Sequence, residues 1–306
     1  MTTEVTPGTR GSTGDPAPGP AEAEAVTPRR RRRRPRLLTH VALVGFGLFM
    51  LYPLIWLLIS SFKPTDLIFR DVSLIPSEVD WTNYSEGWNA LQYPFSRYLM
   101  NSAIIVLGSL LGNLVACSMA AYAFARLDFR FKRVWFALML LTIMLPQHVT
   151  LIPQYAIFLG LDWVNTYLPL IVPKFLATDA FFIFLMVQFI RGLPGELDDA
   201  AKVDGCGPFG VYWRIILPLL VPALTTTAIF TFLWTYDDFF SQLIYLSDTA
   251  LFTVPLGLRL FLDSTGESSW GPMFAMSVVS LLPTFAFFLL FQRWIVEGIS
   301  TTGLTG

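Results

Sequence analysis

Residues 193–218 read LPGELDDAAKVDGCGPFGVYWRIILP, a long polar interruption between apolar stretches that is written like structured protein rather than like a connector. Pro194 and Gly195 open it, and the spacing predicts a helix from Glu196 to Val203. Leu197, Ala200 and Ala201 recur at i, i+3 and i+4, and Asp198 can pair with Lys202 at i, i+4. Glu196, Asp198 and Asp199 fall in the first turn, where the helix dipole favours negative charge. Asp204-Gly205 stops the helix and turns the chain. After Gly207-Pro208 a second helix is expected, with Phe209, Tyr212, Trp213 and Ile216 on one apolar face. A small-faced helix, a glycine turn and an aromatic helix re-entering an apolar span make a docking element.

Composition decides the setting. The 306 residues are 54% hydrophobic and 15% aromatic but only 14% charged, against about a quarter charged in an ordinary soluble domain. This is an integral membrane protein with one membrane domain. Its two cysteines, Cys117 in an apolar span and Cys206 in the loop, form neither a disulfide framework nor a metal spacing, and His40 and His148 lie far apart. The chain holds no G-x-x-x-x-G-K-[ST] phosphate loop and no Ser-His-Asp or Cys-His constellation, so it is not expected to be an enzyme.

Six apolar stretches, at about 37–62, 98–124, 134–158, 166–190, 216–240 and 272–296, each reach the roughly 20 residues that cross a bilayer core. Sixteen Lys and Arg then fall on the side of the N-terminus, against Lys63, Arg70, Arg97 and Arg259 on the other. That asymmetry predicts both termini and the 193–218 loop to be cytoplasmic. Residues 1–36 read as a disordered cytoplasmic tail ending in an Arg29–Arg34 run that anchors topology against anionic lipid; nucleic acid is not expected as its partner. Leu37 to Phe62 is too long for a secretory signal and lacks a cleavage site. Residues 37–94 supply the first span and an outer loop, 95–296 the membrane domain, and 297–306 a cytoplasmic tail. The outer loop, with Pro76, Trp81, Tyr84, Trp88 and Tyr93, is suited equally to interfacial packing and to an extracytoplasmic partner.

The spaced pattern Asp199-Ala200-Ala201, Gly205, Ile215-x-Leu217-Pro218 resembles the EAA loop of ABC importer permeases. The flanking Leu193-Pro194-x-Glu196-Leu197 and Val203-Asp204-Gly205 are similar to the carbohydrate importers, in particular the maltose-permease G-type half. Asp199 stands where that family usually has Glu, and the tail from Gly298 lacks its usual lysine. The resemblance implies an all-α fold of about six transmembrane helices, the type I importer permease, with a cytoplasmic coupling-helix loop. It also implies that Glu196, Asp199, Ala200, Ala201, Asp204, Gly205, Ile215, Leu217 and Pro218 couple the chain to an ATPase. The implied partners are a second permease, a dimer of ATP-binding subunits and an extracytoplasmic solute-binding protein in a bacterial cytoplasmic membrane. The cargo would be a sugar or sugar derivative. No cofactor is expected on this chain; ATP and Mg belong to the partner ATPase.

Charges at bilayer depth cost about 2.5–3.5 kcal/mol on insertion scales and need a reason to be there. Lys174 and Asp179 lie in the fourth span, and at five residues apart on one helix they miss each other's face. Asp237 and Asp238, in FLWTYDDF with Trp234 and Tyr236, resemble the family's Trp-Asn-Asp/Glu-Phe signature. These six residues are candidates for a substrate pathway, since aromatic faces beside carboxylates grip sugars. Snorkelling, interhelical pairing and an interfacial aromatic belt are the structural alternatives. A secondary transporter coupled to an ion gradient through Lys174, Asp179 and Asp237 is the alternative function; it predicts an internal repeat, which the sequence does not display.

Overall fold

A computed structural model of the chain describes residues 36–263 and 269–302. The N-terminal tail expected to be disordered, its arginine run, and the last four residues lie outside them. The described residues are helical and short-looped throughout, with no strand among them. The chain divides after Met50 into two compact units. The first holds the beginning of α1 (Arg36–Ser60), where Leu38, Val41, Leu43, Val44, Phe46 and Phe49 are all exposed, a surface suited to hydrocarbon rather than water.

The second unit starts with the rest of α1 and a segment, residues 61–81, held by a buried lysine. Lys63 Nζ donates to the carbonyls of Asp71 and Ser73, at 2.5 and 2.7 Å. Asn83, on α2 (Thr82–Asn89), donates to the carbonyls of Ser61 and Lys63, and α2 packs against the last long helix. The predicted outer loop is therefore folded, with a helix of its own.

Helix α3 (Phe95–Arg126) is the central element; it packs on α6 (Leu168–Phe175), α7 (Ala180–Arg191) and α11 (Val221–Tyr236). Between them come α4 (Lys132–Ile143) and α5 (Gln147–Gly160), then α8 (Glu196–Val203), α9 (Pro208–Val211) and α10 (Leu217–Leu219). The chain closes with α12 (Phe240–Tyr245), α13 (Val254–Asp263) and α14 (Trp270–Thr302). Gly112 lets α3 approach α6 closely: a Cβ there would lie 2.9 Å from the backbone carbon of Lys174.

Among the described residues, four segments, Leu38–Ser60, Phe95–Arg126, Leu168–Arg191 and Trp270–Gln292, are long and apolar enough to cross a membrane. A fifth arises if Pro208–Leu219 and Val221–Tyr236, bent by 74°, count as one span. The six expected spans are thus not all delivered as single helices, and proline is the reason. The third breaks at Pro146 into α4 and α5, of 12 and 14 residues, because proline cannot donate into the helical ladder. The fifth restarts at Pro222. The sixth overruns its expected end: α14 continues through Thr302, into the segment expected to be a tail.

Candidate functional site

The predicted helix Glu196–Val203 forms with the expected bounds, and Gly205 turns the chain with φ +80°, a conformation that costs a residue with a Cβ roughly 1–2 kcal/mol. Cys206 N–H donates back to Ala201 O at 2.9 Å, closing the helix end. The face expected to be shared by Leu197, Ala200 and Ala201 is split, however. Asp198 and Ala201 are buried, whereas Leu197 and Ala200 are exposed. A carboxylate can turn inward because Arg126, at the end of α3, meets it: Nε lies 2.9 Å from Asp198 Oδ2. The same guanidinium donates through Nη2 to Leu193 O at 2.7 Å. Lys202 accordingly pairs with Asp199, at 3.0 Å, and not with Asp198.

The second predicted helix is also corrected. Pro208–Val211 is α-helical, but Tyr212–Ile216 is a π-helical turn, which widens the side-chain period and separates the expected apolar face. Tyr212 and Ile216 go inward, Tyr212 OH sharing a 2.8 Å hydrogen bond with Ser118 Oγ of α3. Phe209 and Trp213 remain outside and stack on each other. Ile215 and Leu217 pack at the edge of the core formed by α3, α7 and this turn, while Pro218 starts α10. Of the coupling candidates, Glu196, Asp199, Ala200, Asp204 and Gly205 are exposed, Ala201 is buried beneath them, Ile215 and Leu217 fasten the element to the core, and Pro218 is exposed.

Five of the six remaining candidates converge on a cavity of about 910 Å³ between α3, α5, α6, α7, α11 and α12. Lys174, Asp179, Trp234, Asp237 and Asp238 line it. Lys174 and Asp179 do pair, with Nζ 2.9 Å from Oδ2. The spacing argument fails because they do not share a helix: α6 ends at Phe175, Ala177 adopts a left-handed φ of 55°, and α7 starts at Ala180. Asn113 of α3, which sequence reasoning missed, donates to Asp179 Oδ2 at 2.7 Å and to Thr231 Oγ1 of α11 at 3.1 Å. The Asp179 carboxylate thus joins α6, α3 and the start of α7, and the Asn113 amide extends the network to α11.

Trp234 stands between this cavity and a second one of about 790 Å³, and both also touch Asp179 and Phe182. Its ring stacks on Phe182 with centroids 5.4 Å apart, yet 54% of its surface stays open. Asp238 Oδ1 accepts from Ser241 N at 3.0 Å. Tyr236 is elsewhere: it is buried against Phe232 and its hydroxyl donates to Ser280 O of α14 at 2.8 Å, outside the cavity wall.

A bundle of broken apolar helices around a cavity that holds an ion pair, carrying a folded loop with one exposed helical face, has the form of a membrane transport subunit. The chain belongs to the family described as binding-protein-dependent transport system inner membrane component, whose pattern matches residues 104–301. It is a multi-pass permease component. It is 32% identical to the arabinooligosaccharides transport system permease protein AraQ of Halalkalibacterium halodurans, over 88% of this chain and 98% of that protein. It is 33% identical to the trehalose/maltose transport system permease protein MalG of Thermococcus litoralis, over 89% and 97% of the two chains. In fold it matches a chain of a crystallised bacterial ABC transporter involved in the import of the acidic polysaccharide alginate, with a TM-score of 0.75 at 19% identity, covering 84% of this chain and 95% of that one.

Proposed function

We propose that this chain is one permease half of an ATP-driven importer for a sugar or sugar derivative. Its partners would be a second permease, a dimer of ATP-binding subunits and an extracytoplasmic solute-binding protein. The sugar class rests on the substrates named for AraQ and MalG. The single observation that carries the coupling role is the exposed face of α8, held rigidly from beneath by Arg126 and Ala201. Both termini and this loop would face the cytoplasm.

In this reading ATP hydrolysis belongs to the partner subunits. An ATPase cleft would receive α8 at Glu196, Asp199 and Ala200, where the small side chain admits close approach, with Asp204 and Gly205 at the rim. ATP can shift the permease toward an outward-facing state only by being bound better in that state. The displacement would pass through the Tyr212 turn to α11, on which Trp234 and Asp237 stand. In the cavity, the face of Trp234 would take the C–H face of a sugar ring, and Asp237, Asp238 and the Asp179–Asn113 pair would accept from or donate to its hydroxyls. The mutual neutralisation of Lys174 and Asp179 favours this reading over ion coupling through the same residues.

The test is to tag the chain at its N-terminus, solubilise it gently and identify what co-purifies. An ATPase, a second permease and a solute-binding protein are expected; a homodimer free of ATPase would overturn the assignment.

A further inference from the structure

Arg126 lies outside the loop that docks, and nothing in its own helix accounts for where its side chain goes. A basic residue in the last turn of a helix is favoured by the helix dipole alone and can stay in water. This one does not. The side chains of Arg126 and Asp198 are only 16% and 12% exposed, and the guanidinium reaches two separate points of the loop. One is the carboxylate of Asp198, inside α8; the other is the carbonyl of Leu193, where the chain enters the loop before α8. The guanidinium donates through Nη2 to the carbonyl while its Nε lies in ion-pair contact with the carboxylate, so one planar charge meets both points. The partly buried pair leaves little freedom for α8 to slide on α3.

We propose that Arg126 is a positioning residue for coupling: it clamps α8 to the last turn of α3, so that a displacement of α8 is delivered directly to α3. This route is separate from the one through the Tyr212 turn to α11, and it rests on the reading of α8 as the ATPase-docking helix. Its destination is the cavity. Asn113, which holds Asp179 and Thr231, is on the same unbroken helix, about 20 Å from Arg126 at the helical rise per residue. Tyr212 also touches α3, higher up at Ser118 and Tyr122, so the last turn of α3 is where the two routes can be told apart.

The test is hydrogen–deuterium exchange on the assembled transporter in lipid, with and without trapping by ATP and vanadate, in wild type, Arg126→Gln and the charge exchange R126D/D198R. In wild type, trapping should alter exchange both at residues 123–127 and at the start of α11. In R126Q the change at 123–127 should fall at least fivefold while the α11 change persists, and that persistence shows that the loop is still folded and docked. The charge exchange should restore the α3 response. An R126Q response at 123–127 equal to wild type overturns the proposal, as does loss of both responses that the charge exchange fails to rescue. No trapping-dependent change anywhere in wild type would instead defeat the ATPase reading, and the clamp with it.

Discussion

Lys174 Nζ and Asp179 Oδ2 lie 2.9 Å apart across the break between two helices, one in the last turn of α6 and the other at the residue preceding α7. Both carry moderate exposure to the cavity, 29% and 26%, so the pair is screened on one side and enclosed on the other. Its removal should be asymmetric. Asp179→Asn leaves the Lys174 ammonium without its counter-charge beside apolar helices, and should destabilise the protein by about 1–3 kcal/mol, below the cost of breaking a fully buried pair. The double variant K174Q/D179N should recover most of that loss. Thermal melting of the solubilised protein reads both; equal effects would mean that Asp179 acts through Asn113 alone.

Ala200 should tolerate no proline. A proline at this position would remove a backbone donor in the middle of α8 and clash with the preceding turn, a cost of about 3 kcal/mol confined to a short exposed helix. Ala200→Pro should abolish ATP-dependent uptake while the chain still inserts at wild-type levels. Uptake unchanged in membranes that contain the variant would remove α8 from coupling.

Trp234 and Tyr236, two residues apart, should respond oppositely. Trp234→Ala removes an open aromatic face from the cavity and should raise the KM for uptake by roughly fivefold, about 1 kcal/mol of ring stacking. Tyr236→Phe loses only the hydrogen bond to Ser280 O, and should lower stability by about 1 kcal/mol with KM unchanged. A raised KM in Y236F would place Tyr236 on the pathway after all.

The segment from Lys63 to Trp81 should resist acid. Hydrogen bonds from Ser73, its side chain first and then its backbone N–H, together with the Lys63 charge, hold the Asp71 carboxyl down at about 2 against an ordinary 3.8. A carboxyl depressed on folding contributes stability that is complete above its unfolded value and disappears as pH falls through its folded one. Cleavage of the 63–81 segment by an acid-tolerant protease should therefore be the same at pH 7 and pH 5, and should rise only toward pH 2. Asp71→Asn should abolish that rise; if the variant shows the same onset, another group is responsible.

Much of this is legible in the sequence. The bounds of α8, its glycine turn and the apolar runs follow from spacing and composition, because those signals are local. What escapes is set by partners distant in sequence. Asp198 faces inward only because Arg126 is there to meet it, and in the sequence that arginine reads as one more topology charge. Lys174 and Asp179 look mismatched on a continuous helix through Ala177, whose left-handed φ no residue type announces. Tyr236 reads as a pathway residue by the company it keeps in sequence, but the pitch of α11 turns it toward α14. Asn113 is a lone amide in an apolar stretch, and its meaning emerges only once three other helices surround it.

The loop at 193–218 is contiguous in the chain but not self-sufficient in the fold, and this bears on how such transporters can be re-engineered. Grafting those residues into another permease would carry Asp198 and Tyr212 without the guanidinium and the hydroxyl that receive them. On the proposed coupling role, a chimera meant to accept a foreign ATPase must therefore move Arg126 and Ser118 as well. The exchangeable unit is a patch across two elements, not a cassette of sequence.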